Sequence, residues 1–292
     1  MTALLSLGHG YCASHFVALH GELFTRRTGT HRGEPGERDG TRLLTFAGTA
    51  SPEQLDAATR ADIVLASAAP GETGDPFLPE IGATLAASSR KGALIYLSTI
   101  GVYGDTGGDW IDESTQPAAA SARARRRVAA EAAWQAVGAK AGRPVFILRL
   151  GGIYGPGRNA LVDVAAGTAR CIEREGQVFN RIHVDDIADA IRAACLSAKG
   201  GIVNVVDDEP SPSCAPVRFA AGLLGQPAPE PEPFALAAQS MSAMALSFWA
   251  ENRRVRNDAL HRLTGGPLRY PSYRDGLAAL HAAAGGAAGG TG

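Results

Sequence analysis

The chain has 292 residues, of which 45% are hydrophobic and 20% charged, with a formal net charge of −1. This is ordinary globular usage, with length for one large domain or two coupled ones, and a charge so near zero excludes a global field that would steer the protein to nucleic acid or an anionic membrane surface. No uncharged apolar stretch reaches the roughly 18 residues needed to span a bilayer, and the opening run Ala3-Leu4-Leu5-Ser6-Leu7 carries neither a basic region nor a cleavage site, so a cytoplasmic protein without signal peptide is expected.

In chain order, residues 4–7 read as a buried strand and 11–20 as a helix opening on small residues. Strands follow at 22–26 and 42–46, a helix at 52–60, a strand at 62–67, a helix at 77–89 and a strand at 93–97. A long Ala/Arg helix at 121–137, stopped by Gly138, leads to a sixth strand at 145–150. Six apolar strands alternating with helices predict an α/β, Rossmann-type doubly wound parallel sheet covered on both faces. Beyond residue 150 the rhythm changes. A loop at 151–157 precedes a helix at 186–197, capped by Asp185 and ended by Gly200-Gly201, and then a strand at 202–206. Proline-rich 210–233 predicts irregular structure with short helices, 235–262 a helical region, and the Ala/Gly tail at 282–292 a disordered end. The expected division is a cofactor domain at 1–150, with 181–206 returning to it, and a smaller substrate-binding domain made mainly from 151–281.

The four cysteines, Cys12, Cys171, Cys195 and Cys214, show no CxxC or zinc spacing, so reduced thiols and no metal site are expected.

The sharpest motif is Gly8-His9-Gly10-Tyr11-Cys12-Ala13, which fits G-x-G-x-x-G/A between a strand and a helix. Gly8 permits the tight turn, Gly10 lets backbone approach a pyrophosphate, and Ala13 allows close helix–strand packing, while the helix N-terminus at Tyr11 offers N–H groups to phosphates. A dinucleotide is therefore the expected cofactor. Acid-lacking Thr25-Arg26-Arg27-Thr28, placed by this reading at the end of the second strand, favours NADP over NAD, because Arg26 or Arg27 can pair with a 2′-phosphate; a solvated basic turn is the alternative.

Further segments stand in a shared order: Tyr96-Leu97-Ser98-Thr99-Ile100-Gly101-Val102-Tyr103-Gly104, Leu148-Arg149-Leu150-Gly151-Gly152-Ile153-Tyr154-Gly155-Pro156-Gly157, Arg181-Ile182-His183-Val184-Asp185-Asp186, and Arg269-Tyr270-Pro271-Ser272-Tyr273. With the glycine loop, they make the chain resemble the extended and atypical short-chain dehydrogenases/reductases of the NAD(P)-dependent epimerase/dehydratase family. The resemblance implies a catalytic Ser/Thr, met by Thr99, and a YxxxK motif on the long helix. Counted back from Glu131, the tyrosine place holds Arg123 and the lysine place Arg127. A guanidinium stays protonated, so Arg123 is no general base, yet it can stabilise a developing alkoxide; Arg127, one turn away, can reach ribose or phosphate. Tyr103 and Tyr154, at strand ends, are structural in such proteins, and His183 with Asp185 reads as a buried hydrogen-bonding group beside a cap. Arg253-Arg254-Val255-Arg256 fits either a grip on an anionic substrate or a solvated face.

The expected activity is that of an oxidoreductase on a polar carbonyl or sugar-like small molecule, with Thr99 orienting the substrate oxygen, Arg123 stabilising charge and Arg127 holding the cofactor. The rival is a non-catalytic NADP(H) sensor, favoured by the missing Tyr/Lys pair. A homodimer through the long helices is implied by the resemblance.

Overall fold

The computed structural model describes residues 2–288. Its first half runs β1 (Ala3–Leu7), α1 (Tyr11–His20), β2 (Arg26–His31), β3 (Gly36–Arg38), β4 (Thr41–Thr45), α2 (Pro52–Arg60), β5 (Ile63–Ala66), α3 (Leu78–Ala87), β6 (Leu94–Thr99), β7 (Trp110–Ile111), α4 (Ala122–Ala141) and β8 (Val145–Leu150). Then come β9 (Gly152–Tyr154), α5 (Ala160–Ala165), β10 (Cys171–Glu173), β11 (Arg181–His183), α6 (Val184–Leu196), β12 (Gly201–Val205) and α7 (Cys214–Leu223). The chain ends with β13 (Pro231–Pro233), α8 (Phe234–Ala237), α9 (Ala243–Trp249), β14 (Arg254–Val255), α10 (Asp258–Thr264) and α11 (Tyr273–Ala288).

The central sheet has eight strands in the order β12-β8-β6-β5-β1-β2-β4-β3, all parallel except β3 at the edge. Both faces are covered, which is why its strands are apolar at successive positions rather than alternate ones. Leu4, Ile63, Leu65, Ile95, Leu97 and Phe146 pack on the side of α1 and α6. Leu5, Leu7, Val64, Leu94, Tyr96 and Ile147 pack on the side of α2, α3 and α4. The fold is the doubly wound Rossmann type. Strand order reverses between β1 and β5, and the crevice for a ligand opens there, outside the carboxyl ends of the strands. Residues of α5, α7 and α11 form a smaller core of their own with Tyr154. Among the described residues no helix is long and apolar enough to cross a membrane.

Several boundaries differ from the sequence reading. The second strand does not lie at 22–26: Gly21–Leu23 is a 3-10 turn, and β2 starts at Arg26 and ends at His31. Helix α4 passes through Gly138 and ends at Gly142, whose φ of 62° is the left-handed cap. Gly138 is there for packing, since a Cβ would lie 2.0 Å from Val145 Cγ2. The loop at 151–157 contains β9, paired with β11. His183, not Asp185, caps α6, its Nδ1 accepting from Asp185 N at 3.2 Å. The stretch 210–233 contains a regular ten-residue helix, and 235–262 is broken into short pieces by a strand. The tail is helical to Ala288, so disorder from 282 onward is incorrect; 289–292 lie outside the described residues. Cys171 and Cys214 are bonded to each other, correcting the reading of four reduced thiols; Cys12 and Cys195 are free. Their separation of 43 residues hides the pairing in sequence, and only the packing of β10 on α7 brings them together.

Alanine at Gly138 normally gains helix propensity of up to ~1 kcal/mol, but overpacking against β-branched Val145 costs ~1–3 kcal/mol. Gly138→Ala should therefore lose about 1–2 kcal/mol in urea denaturation. A stabilised variant would contradict the packing role.

Candidate functional site

A cavity of about 700 Å³ opens at the carboxyl ends of β1, β5, β6 and β8, where Gly8, Ser67, Thr99 and Gly151 meet. Gly8 has φ +78°, and a Cβ there would sit 2.9 Å from Ala68 Cβ. The turn is fixed by Gly8 N donating to Thr30 Oγ1 at 2.9 Å and by Ser67 Oγ donating to Gly8 O at 2.5 Å. Gly10 then caps α1 without a side-chain acceptor, so the first N–H groups of the helix face the crevice with no side chain on them. Ala13 is fully buried against the sheet. Tyr11 O–H donates across the crevice to Pro156 O at 3.0 Å. Next to that carbonyl, Arg158 lines the cavity and makes no ion pair among the described residues. A tight glycine turn that a Cβ would fill, an uncapped helix end and an unpaired guanidinium together fit a dinucleotide pyrophosphate.

Arg26 and Arg27 do not belong to this site. They pair with Ala3 and Leu4 at the start of β1. At ~3.3 Å per residue, that is about 15 Å from Gly8, at the amino-terminal ends of the strands. Arg27 Nε instead donates to Gly40 O at 3.2 Å. The carboxyl end of β2 is Thr30-His31, followed by exposed Arg32. No carboxylate stands at 31–33. Sequence reasoning missed Arg32 because the strand was placed four residues early, and missed Arg158 although it directly follows the Tyr154–Gly157 motif.

Helix α4 brings the remaining candidates to the same cavity. Its N-cap Ser121 accepts from Ala124 N at 3.1 Å. Arg123 and Arg127, one turn apart, both line the space with Thr99. Arg123 is exposed, with its Cζ 5.7 Å from the ring centroid of Phe248 on α9. Arg127 is buried, and Nη1 donates to Leu97 O at 2.8 Å and to Tyr96 Oη at 2.9 Å, which ties it to β6. Burial pushes the Tyr96 hydroxyl up to about 12 despite that guanidinium. Thr99 Oγ1 accepts from Gly101 N at 3.1 Å, leaving its O–H to donate elsewhere.

The tyrosines near the cavity have their hydroxyls engaged. Tyr103 O–H donates to Asn204 Oδ1 at 2.7 Å and Tyr154 O–H to Ser272 O at 3.2 Å. Of the basic run at 253–256, Arg253 lines the cavity but is buried, donating to Gly104 O and Ile100 O and pairing with Glu251. Behind the site lies a group of buried titratable side chains. Burial lowers His183 to about 4, with Asp185 partly offsetting, and raises Asp186 to about 6 even though it accepts from Arg269 N and Tyr270 N. Burial also raises Asp207 to about 8, and its Oδ2 has no partner.

A Rossmann crevice with a glycine turn and two arginines on the helix beside β6 defines a nicotinamide-type dinucleotide fold. Residues 81–205, less than half of the chain, match the model of the NAD dependent epimerase/dehydratase family. It is similar to a solved structure of a functionally unknown conserved protein from Silicibacter pomeroyi, with 40% identity, coverage of 97% of this chain and 99% of the other, and a TM-score of 0.85. A curated relative, 3-diazoavenalumate denitrifying reductase of a Streptomyces species, is 34% identical over 138 residues, and the match spans only 45% of each protein. At the level of fold, a human epimerase family protein solved with NADPH has a TM-score of 0.71 at 17% identity, covering 96% of this chain and 99% of that one.

The raised Asp207 has a pH consequence. In the folded protein it keeps its proton up to about pH 8, whereas its ordinary value is 3.8. Folding therefore takes up a proton over that window, and stability falls as pH rises through it. Asp207→Asn should raise the melting temperature at pH 8 by several degrees more than at pH 4.5. An equal shift at both would show that Asp207 ionises normally.

Proposed function

We propose that this protein is an NADP(H)-dependent reductase that delivers hydride to a small polar electrophile without a tyrosine acid. The observation that carries this reading is Arg123, an unpaired guanidinium at the place of the family's tyrosine, in a cavity whose own tyrosines, Tyr11 and Tyr154, have their hydroxyls bonded to main-chain carbonyls. When bound, the nicotinamide supplies the hydride. Gly8, Gly10 and the start of α1 hold the pyrophosphate, with Arg158 adding charge. Thr99 O–H orients the substrate's polar atom, Arg123 balances negative charge carried by the substrate, and Arg127 braces the nicotinamide side of the cavity from β6. Any proton the product needs comes from solvent. The name of the Streptomyces relative, a denitrifying reductase of a diazo compound, supports a reduction of this kind, since departure of a leaving group can take the place of proton delivery.

For the cofactor, Arg32 replaces Arg26 and Arg27 as the group that selects NADP over NAD. It follows the strand end where a ribose-binding acid would otherwise stand. A charge-assisted contact of about 1.5–3 kcal/mol corresponds to a tenfold or larger change in affinity. Fluorescence titration should show NADPH bound at least tenfold more tightly than NADH, with Arg32→Ser removing the preference and Arg26→Ser leaving it. With a substrate in hand, Arg123→Ala should lower kcat/KM by about 10²–10³ and Thr99→Val by a smaller factor. Tight NADPH binding without turnover on any carbonyl, diazo or nucleotide-sugar compound would favour a sensor, the reading that the absent Tyr/Lys pair supports.

A further inference from the structure

The far end of the cavity, where α4 faces α9, differs chemically from the cofactor end. We infer that it holds a small planar carboxylic acid, the carboxylate on Arg123 and the flat apolar body against Phe248. This rests on the reductase reading above.

Two observations lead there. First, the charges are unequal. Five arginines and one glutamate line the cavity, and the glutamate, Glu251, already pairs with Arg253. Arg181 and Arg253 are turned to main-chain carbonyls, and Arg158 stands beside the glycine turn. One guanidinium, Arg123, is therefore left at this end without a protein partner among the described residues, matching a single carboxylate better than a diphosphate. Its planar fork suits a carboxylate through two parallel N–H donors.

Second, Phe248 lines the cavity yet remains 55% exposed, an unusual state for a large apolar ring inside a concavity. Its position is braced. The next residue, Trp249, is buried, stacked on Phe234 at 5.0 Å and edge-on to Phe179 at 4.9 Å. Helix α9 is capped by Ser242. The Arg123 guanidinium lies over the Phe248 ring, so a cation and an aromatic surface are presented side by side. A conjugated acid fills both positions at once.

The test uses the full-length protein saturated with NADP+, titrated calorimetrically with cinnamate, with cinnamamide of the same shape but no charge, and with UDP-glucose. Cinnamate should bind at least tenfold more tightly than the amide. Arg123→Gln should abolish that preference, and Phe248→Ala should weaken acid and amide alike. Both side chains are exposed, and melting curves verify that the variants fold. Equal affinity for acid and amide, a preference that survives Arg123→Gln, tighter binding of UDP-glucose, or no binding by any probe would each overturn the inference. The parent reading is judged separately: if NADPH itself does not bind, the reductase reading fails, whereas NADPH binding with a failed acid/amide comparison removes only the substrate assignment.

Discussion

The site depends on a buried ion pair that none of the candidate ligands touches. Glu131, in the middle of α4, accepts from Arg149 of β8 through Nη2 at 2.7 Å and Nε at 3.2 Å, and from Ser98 Oγ of β6 at 2.5 Å. Both charged side chains are almost wholly withdrawn from water. A pair like this contributes little net stability, but leaving either charge without the other costs ~3–5 kcal/mol, so the three elements are locked in one arrangement. The lock continues outward. Arg149 lies over the ring of Tyr103 at 4.7 Å, Tyr103 O–H reaches Asn204 of β12, and Asn204 N donates to Glu113. Thr99 follows Ser98 directly, and Arg123 and Arg127 lie two and one turns before Glu131 on α4. The geometry of the reacting end is therefore set by a polar network beneath it, which is how a site on strand ends and a helix face stays preorganised.

Replacing a Tyr/Lys pair by two arginines changes what this frame can do. A tyrosine beside a lysine gives a proton away and takes it back. A guanidinium keeps its charge at every working pH. The two arginines are also unlike each other. Arg127 is bound into the sheet through Leu97 O and Tyr96, which fixes its direction, while Arg123 is exposed at the cavity mouth over Phe248. One is a fixed part of the wall and the other an exposed cation open to a ligand. Catalysis in such a site is electrostatic rather than acid–base, and fits acceptors whose reduction needs charge stabilised more than it needs a proton delivered.

Much of this was legible in the sequence, and the failures have physical causes. The fold class follows from apolar runs that are buried on both faces, and the glycine turn follows from Gly8, whose φ no other residue adopts cheaply. The placing of β2 failed because its segment, Arg26–His31, has no apolar residue: its interior is Thr28, Gly29 and Thr30. Periodicity finds a strand through hydrophobic side chains, so the apolar Leu23-Phe24 just before it drew the boundary forward and carried the arginine assignment to the wrong end of the strand. Gly138 misled in the opposite way. Glycine inside a helix reads as a stop, whereas here it admits Val145. The contacts of the far cavity end were not legible at all, because Phe248 and Arg123 are 125 positions apart and meet only through the packing of α9.

The motifs of the second half acquire a common explanation from the same packing. Asp186 accepts the main-chain N–H groups of Arg269 and Tyr270, His183 packs against Tyr270 and Tyr154, and Tyr154 O–H reaches Ser272 O. Segments that look like catalytic signatures are thus the fasteners that fold the C-terminal region back on β9, β11 and α6. That explains how a chain can keep them while its helix has exchanged an acid–base pair for two cations. The fasteners determine where the cavity walls stand, and the residues on α4 and α9 determine what the cavity recognises. The two sets share no side chain, so chemistry can change at Arg123 and Phe248 without disturbing the structure that holds them.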